Sequence, residues 1–202
     1  MAVWLLMLAV FAGLSMNLVL QFGFGIREIA LSEGPVVPGK NTLGLSFQAG
    51  AFFASVMLVW LAFALARSLL PLGFLEYVLV FPAGFLASRT WIYLSGRYLP
   101  KSPVLGGDAE KDVFGGGALS GGAAFVVLAV AGGFAEALVL SLGFTLGTLG
   151  AVVAVAEIKR RAQMEAVPLW LRGAPLTLVA MGLLSLVCSF AAMMFFEVLA
   201  GG

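Results

Sequence analysis

The sequence predicts an all-α integral membrane protein with six transmembrane helices. Of its 202 residues, 62% are hydrophobic and only 10% are charged, and the mean hydropathy is +1.10. A water-soluble domain carries about a quarter charged residues, because its surface faces water. A helix of about 20 apolar residues crosses a bilayer. Six stretches meet this length, at residues 2–24, 43–66, 72–95, 115–134, 137–157 and 174–198.

The first apolar stretch is interpreted as a span and not as a signal peptide. It has no basic region before its apolar run, the run is too long, and no clean small-residue cleavage site follows. The fourth and fifth stretches form one apolar block, which is split at Gly132, Gly133 and Glu136 and is long enough for two crossings. No separate soluble domain is predicted, so residues 1–202 form a single transmembrane domain.

Basic residues predict the orientation, because Lys and Arg are enriched in cytoplasmic loops. With six spans, the three longer connections share one side and carry Arg27, Lys40, Arg97, Lys101, Lys111, Lys159, Arg160, Arg161 and Arg172. Arg89 is expected to extend toward that side, and the opposite side holds only Arg67. The three loops are therefore predicted to be cytoplasmic, and both termini non-cytoplasmic.

Short similarities hint at an internal repeat of residues 1–95 and 113–199. Leu43-Gly44-Leu45-Ser46 opens span two as Leu138-Val139-Leu140-Ser141 opens span five, and Leu14-Ser15 and Leu119-Ser120 match in spans one and four. Two units of three spans each have opposite orientations in the membrane, as in many transporters. The pattern favours two inverted three-helix repeats, although matches this short also arise by chance.

Glycines recur at four-residue spacing within the spans, as Gly117 with Gly121 and Gly143 with Gly147. Small residues at this spacing allow helix backbones to approach closely. A second interpretation is that the stretch 115–122, which includes Gly121 and Gly122, interrupts span four, since glycine is a poor helix former.

Polar and ionisable residues within the spans are few. Asn17 and Gln21 lie four residues apart and are predicted to share a helical face, as interhelical hydrogen-bonding groups or as groups lining a site. Glu76, Glu136, Glu157 and Glu197 fall near predicted span ends, as does Arg89. We therefore expect no proton or cation route that depends on a buried carboxylate of this chain.

Several function classes lose support from the composition. The net charge of +1 gives no reason to expect nucleic acid as a partner, and the chain has no histidine. Its one cysteine, Cys188, is expected to be a small apolar residue of span six. There is no nucleophile–base pair and no phosphate-binding loop, so a stand-alone enzyme is not predicted. The lipid bilayer is the expected surrounding, and no metal site is predicted.

The region from Gly147 to Leu186 carries a family resemblance. Ile158-Lys159-Arg160-Arg161 ends span five, and Val167-Pro168, Arg172-Gly173 and Gly182-Leu183-Leu184-Ser185-Leu186 follow. This pattern resembles the six-span subunits of the Rnf/Nqr electron-transport complexes. A second match is Asn17-Leu18-Val19-Leu20 followed by Phe24-Gly25-Ile26-Arg27 in span one. The outward termini fit the A-type subunit of Rnf and the E-type subunit of Nqr.

The resemblance implies a subunit of a redox-linked, ion-translocating complex in a bacterial inner membrane. Electron transport, ion transport and translocase activity would belong to that complex, with a sister membrane subunit and further subunits as partners. The family fold implies that helices 1 and 4 are interrupted, here near Gly23, Gly25 and the stretch 115–122. These glycines, with Asn17 and Gln21, are the candidate midplane or packing positions.

The chain departs from the family at the cluster ligands. The family is expected to hold a 2Fe–2S cluster, with one cysteine from each interrupted helix. The corresponding positions here are Arg27 and Ala123, and Cys188 matches neither. Thiolates hold such clusters, so the resemblance implies a subunit with no iron–sulfur ligands of its own, which serves as a scaffold or binds partners.

Two further hypotheses stay open. The chain could be a permease for a small apolar or neutral solute that uses the same inverted-repeat fold, with a site among Asn17, Gln21, Gln48 and the stretch 115–122. It could also be a purely structural assembly protein. On the first hypothesis, the chain is at most a non-catalytic subunit of an ion-translocating oxidoreductase complex.

Overall fold

The computed structural model describes residues 2–23, 42–69, 73–98, 117–164, 168 and 174–200. All regular structure in these residues is helical. Helix α1 spans Ala2–Val10 and continues as a π-helical segment, Phe11–Ser15. The other helices are α2 (Thr42–Leu69), α3 (Leu75–Tyr98), α4 (Gly117–Val130), α5 (Phe134–Met164) and α6 (Ala174–Ala200).

Helices α2, α5 and α6 contain the three segments of the described residues that are long and apolar enough to cross a membrane: Ser46–Leu69, Phe134–Ala162 and Ala174–Val198. Two shorter apolar helices are Val3–Ser15 and Gly117–Val130. The described chain is therefore a helical membrane protein. Helix α3 is not among these segments, so six spans and their inversion stay predictions.

Contacts along the helices give their relative directions. Helices α2 and α3 form an antiparallel pair, because Arg67 binds Glu76 at one end and Phe47 lies beside Trp91 at the other. Helices α3 and α4 are also antiparallel, since the Tyr77 ring contacts Phe125 while Gly84 lies against Gly121. Helices α1 and α5 run parallel, from the contact between Trp4 and Glu136 to that between Asn17 and Gly147.

Close backbone contact at glycines holds two of these helix pairs together. A Cβ atom added to Gly84 would lie 2.6 Å from the Cα of Gly121, and one added to Gly147 would lie 2.8 Å from the Cα of Gly13. A Cβ on Gly143 would lie 2.8 Å from the Cβ of Ala12. Side chains at these positions would force the helices apart, so the predicted role in close packing is confirmed for Gly143 and Gly147, and likewise for Gly121.

Helix α5 is central and α6 is peripheral. Half of the apolar segment of α5 is buried (50%), against 33% for α2 and 17% for α6. Helix α5 contacts α1, α2, α4 and α6. Helix α6 is therefore more accessible to a bilayer than α2 or α5, and groups that face the core from α5 lie inside the bundle.

The interruptions differ in position from those predicted. The first helix ends at Ser15, well before Gly23, while Gly25 lies outside the described residues. The prediction of a break over residues 115–122 is wrong for 117–122, since Gly121 and Gly122 lie in the continuous helix α4. These glycines need no break, because α3 covers them and close packing offsets their poor helix propensity.

Candidate functional site at the end of the first helix

The first helix stops by a local change of backbone geometry. The Met16 amide donates to the Phe11 carbonyl at 2.7 Å, and Met16 itself has φ −108° and ψ 41°, outside the helical region. A π-helical turn inside an α-helix is rare and often occurs at functional sites. The chain therefore leaves the helical path at Met16, after about 20 Å of helix.

Asn17 restarts the chain as a single helical turn. Its Oδ1 accepts hydrogen bonds from the amides of Val19 (3.1 Å) and Leu20 (3.2 Å), and its carbonyl accepts from the Gln21 amide at 2.8 Å. This is the geometry of a helix N-cap, in which asparagine is among the preferred residues. Asn17 thus satisfies backbone donors that the interruption would otherwise leave without partners.

The side-chain nitrogen of Asn17 links the end of the first helix to α5. Its Nδ2 donates to the Gly13 carbonyl at 3.1 Å and to the Gly147 carbonyl of α5 at 2.9 Å. Asn17 is only 3% exposed, and all four of its side-chain hydrogen-bonding positions are occupied. A side chain that is buried and fully bonded in this way fixes the break firmly against α5.

Gln21 contacts a different helix. Its exposed side chain donates from Nε2 to the Ser189 Oγ of α6 at 2.6 Å. Asn17 and Gln21 lie in one helical turn after the first helix has ended, and their side chains bind α5 and α6 separately. Their predicted role as interhelical hydrogen-bonding groups is confirmed. Gly23 follows with φ +68°, a left-handed conformation that favours glycine.

The remaining predicted positions are not gathered around Asn17 in one cluster. Gly121 packs against Phe81 of α3, where an added Cβ would lie 3.0 Å from the Phe81 carbonyl oxygen. Gly122 and Ala123 are buried in the middle of α4. Gln48 is half-buried on α2. Gly25 and Arg27 lie outside the described residues, as do the first two glycines of the stretch 115–122.

Sequence reasoning missed a row of buried hydroxyl groups on α5. Ser141 and Thr148 are 0% and 1% exposed, and neither hydroxyl has a hydrogen-bond partner. Thr145, between them, donates to the Ser141 carbonyl at 2.7 Å. Phe134, Ser141 and Thr148 are spaced by seven residues and so share one face of the helix. The Phe134 ring lies 6.1 Å from that of Trp60, which places this face toward α2.

Polar groups also close the end of the bundle opposite the three longer connections. Arg67 binds Glu76 through two hydrogen bonds, at 2.7 and 2.6 Å, and reaches the Leu128 carbonyl at 3.5 Å. Glu136 accepts from Trp4 Nε1 at 2.9 Å and from the Gly132 amide at 2.8 Å. Both carboxylates lie in the first turn of a helix, where negative charge is favourable.

The donor set does not fit an iron–sulfur cluster. Ala123 carries no ligand atom, and Cys188 lies half-buried on the peripheral helix α6. No group of three or more His, Cys, Asp or Glu residues that could hold a metal occurs within the described ranges. A cluster needs thiolates, and Ala123 does not supply one.

Comparisons with protein-family models, with curated proteins and with solved structures found no match.

Proposed function

We propose that this chain is a membrane-embedded subunit of a redox-linked, ion-translocating electron-transport complex of the Rnf/Nqr type, in a bacterial inner membrane with both termini outside. It acts as a scaffold that binds partner subunits and supplies no iron–sulfur ligand. The observation that carries the proposal is the interrupted first helix, which Asn17 fixes to α5. The motif residues from Ile158 to Leu186 support it independently.

The position of the interruption in the first helix supports the proposal. This helix ends at Ser15 after about 20 Å, less than the 30 Å of a hydrocarbon core. The family resemblance predicts an interruption in this span. An interruption at membrane depth needs a covering of protein, and α5 and α6 contact the one at Asn17.

The pattern of helix neighbours also supports two related halves. In two related halves, α1, α2 and α3 correspond to α4, α5 and α6. The pair α2–α3 then corresponds to α5–α6, and α2–α4 corresponds to α5–α1. The pair α3–α4 corresponds to α6 with the π-helical end of α1. All of these pairs are in contact, and the pair α2–α5 converts into itself. Among the stronger contacts of the described residues, α4–α5 is the exception, because its counterpart α1–α2 is not among them. A three-residue link joins α4 and α5.

The test is extraction of the tagged full-length chain from its native membrane in a mild detergent. We expect sister membrane subunits and a flavin-bearing subunit to co-purify. Asn17→Asp, which places a carboxylate against two carbonyls, should reduce their recovery, whereas the control Gly150→Ala, which meets no neighbouring atom, should not. A chain that purifies alone and transports a solute in liposomes would contradict the proposal.

The buried hydroxyls of α5 favour a second candidate, a permease for a small neutral solute. Ser141 and Thr148 have free hydrogen-bonding capacity at the α2–α5 contact, where a passing polar solute could bind. On this hypothesis, Thr148→Val lowers solute flux in liposomes, while Thr145→Val, whose hydroxyl is already bonded to its own helix, leaves it unchanged. No flux above that of empty liposomes would exclude this candidate.

A further inference from the structure

Arg89 occupies an unusual place on α3. It is exposed and lies in a row of exposed side chains at helical spacing, here called the α3 stripe: Val78, Pro82, Phe85, Leu86, Arg89 and Tyr93. Apart from Arg89 the stripe is apolar or aromatic, so it suits contact with lipid or with another transmembrane helix. Arg89 brings a permanent positive charge to this surface.

The depth of Arg89 follows from the ion pair at the end of α3. Glu76 binds Arg67 near the end of the α2 span, Ser46–Leu69. In the proposed six-span arrangement, in which α3 also crosses the membrane, Glu76 therefore marks one membrane boundary. Arg89 lies thirteen residues further along α3, which corresponds to about 20 Å. The hydrocarbon core is about 30 Å thick, so the Arg89 backbone lies about 10 Å inside the opposite boundary.

The side chain of Arg89 does not extend toward that nearer boundary. Its guanidinium carbon lies 5.3 Å from the centre of the Phe85 ring, one turn closer to the start of α3. Side chains on helices lean toward the N-terminus, and here this lean directs the charge toward the middle of the membrane. The predicted extension toward the basic loops is therefore not what the side chain adopts.

A guanidinium at this depth requires an anionic partner, because charges within a bilayer are costly and are almost always paired. Within the part of the chain that the structure describes, no carboxylate forms an ion pair with Arg89. Glu76, Glu136 and Glu157 are engaged near helix ends. Glu197 lies in the last turn of α6.

A second copy of this chain does not provide the partner. The acidic residues of the described spans are at the wrong depth, and the others belong to the predicted connections: Glu28, Glu33, Asp108, Glu110, Asp112 and Glu165. A phospholipid phosphate at the nearer boundary lies about 10 Å from the Arg89 backbone, and the guanidinium points away from that boundary. A carboxylate on a transmembrane helix of another subunit can lie at the depth of the guanidinium and on the side toward which the guanidinium points.

We propose that the α3 stripe is the docking surface for a transmembrane helix of another subunit, and that Arg89 pairs with an aspartate or glutamate of that helix near mid-membrane. The proposal rests on the six-span arrangement and on the complex proposed above. The α3 stripe forms the protein–protein contact. Arg89 selects the partner, because a charge pair in low dielectric discriminates strongly against helices without a carboxylate.

The test is site-specific photo-crosslinking of the full-length chain in its native membrane. A benzophenone amino acid replaces Leu86 or Tyr93 of the stripe, with Leu183 on exposed α6 as the control position. We expect adducts from the stripe that map, by mass spectrometry, within one or two turns of an acidic residue in a partner's transmembrane segment. Arg89→Glu should reduce the adduct at least about tenfold, and Arg161→Gln, at an exposed helix end, should not.

Charge exchange makes the test specific. Replacing the mapped acidic residue with arginine in the Arg89→Glu background should restore the adduct. Adducts to lipid alone, or to a helix without a carboxylate, would overturn the proposal, as would a lowered unfolding temperature of the isolated Arg89→Gln chain. If subunits co-purify with the Arg89 variants as with the wild type, the docking surface is wrong and the proposed function stands. If the wild type has no membrane partner, both fail.

Discussion

Replacement of Asn17 tests the physical account of the interrupted helix. Asn17→Ala removes the cap of the restarted turn, which contributes about 0.5–2 kcal/mol at such positions. It also removes the interhelical bond to the Gly147 carbonyl, a type of contact that contributes about 0.6 kcal/mol on average in membrane proteins. The freed Val19 amide is fully buried and adds an unsatisfied donor, which costs about 1–3 kcal/mol.

These contributions overlap, so we expect Asn17→Ala to lower the free energy of unfolding by about 2–4 kcal/mol. For a chain of this size, that loss corresponds to about 4–16 °C in unfolding temperature. Tryptophan fluorescence during heating of the detergent-solubilised chain measures the change. Gln21→Ala is the matched control, because it removes one exposed hydrogen bond, and it should shift the midpoint by less than about 4 °C.

The aspartate variant separates the two functions of the Asn17 side chain. Asn17→Asp keeps an acceptor for the amides of Val19 and Leu20 but faces two carbonyl oxygens that previously accepted hydrogen bonds. It should therefore be at least as destabilised as Asn17→Ala. If both variants unfold within about 2 °C of the wild type, the conclusion that Asn17 fixes the break against α5 is refuted.

Three other predictions follow from packing, topology and composition. Gly147→Ala should lower the free energy of unfolding by about 1–3 kcal/mol in the same thermal assay, since its Cβ would meet the backbone of α1, whereas Gly150→Ala should be neutral or stabilising because it meets no neighbouring atom. In a Cys188→Ser background, a membrane-impermeant thiol reagent applied from the cytoplasmic side should label a cysteine placed at Lys101 but not one at Gly202, and the reverse pattern would reject the six-span orientation. The purified chain should contain no stoichiometric iron or acid-labile sulfide by elemental analysis, since one cysteine does not ligate a cluster, and a signal lost with Cys188→Ser would show otherwise.

The sequence alone determined the class of the protein and the approximate positions of its helices. A composition of 62% hydrophobic residues with 10% charge leaves too little polar surface for a water-soluble fold. Helices α2, α5 and α6 overlap predicted spans because hydrophobicity acts over about 20 consecutive residues and depends little on neighbours. Spacing also identified Gly143 and Gly147 as packing positions before their neighbours were known.

Only the tertiary structure decided what the individual polar residues do. Asn17 is the cap of a restarted turn, and its partner, the Gly147 carbonyl, lies 130 residues away in the sequence. The choice between glycine as helix breaker and glycine as packing surface, at Gly121, depended on whether α3 covered it. The Arg89 guanidinium lies against the Phe85 ring, one turn closer to the start of α3, in a rotamer that sequence position does not specify. Hydrophobicity is local and additive along the chain, whereas hydrogen bonding and close packing depend on which distant atoms are adjacent.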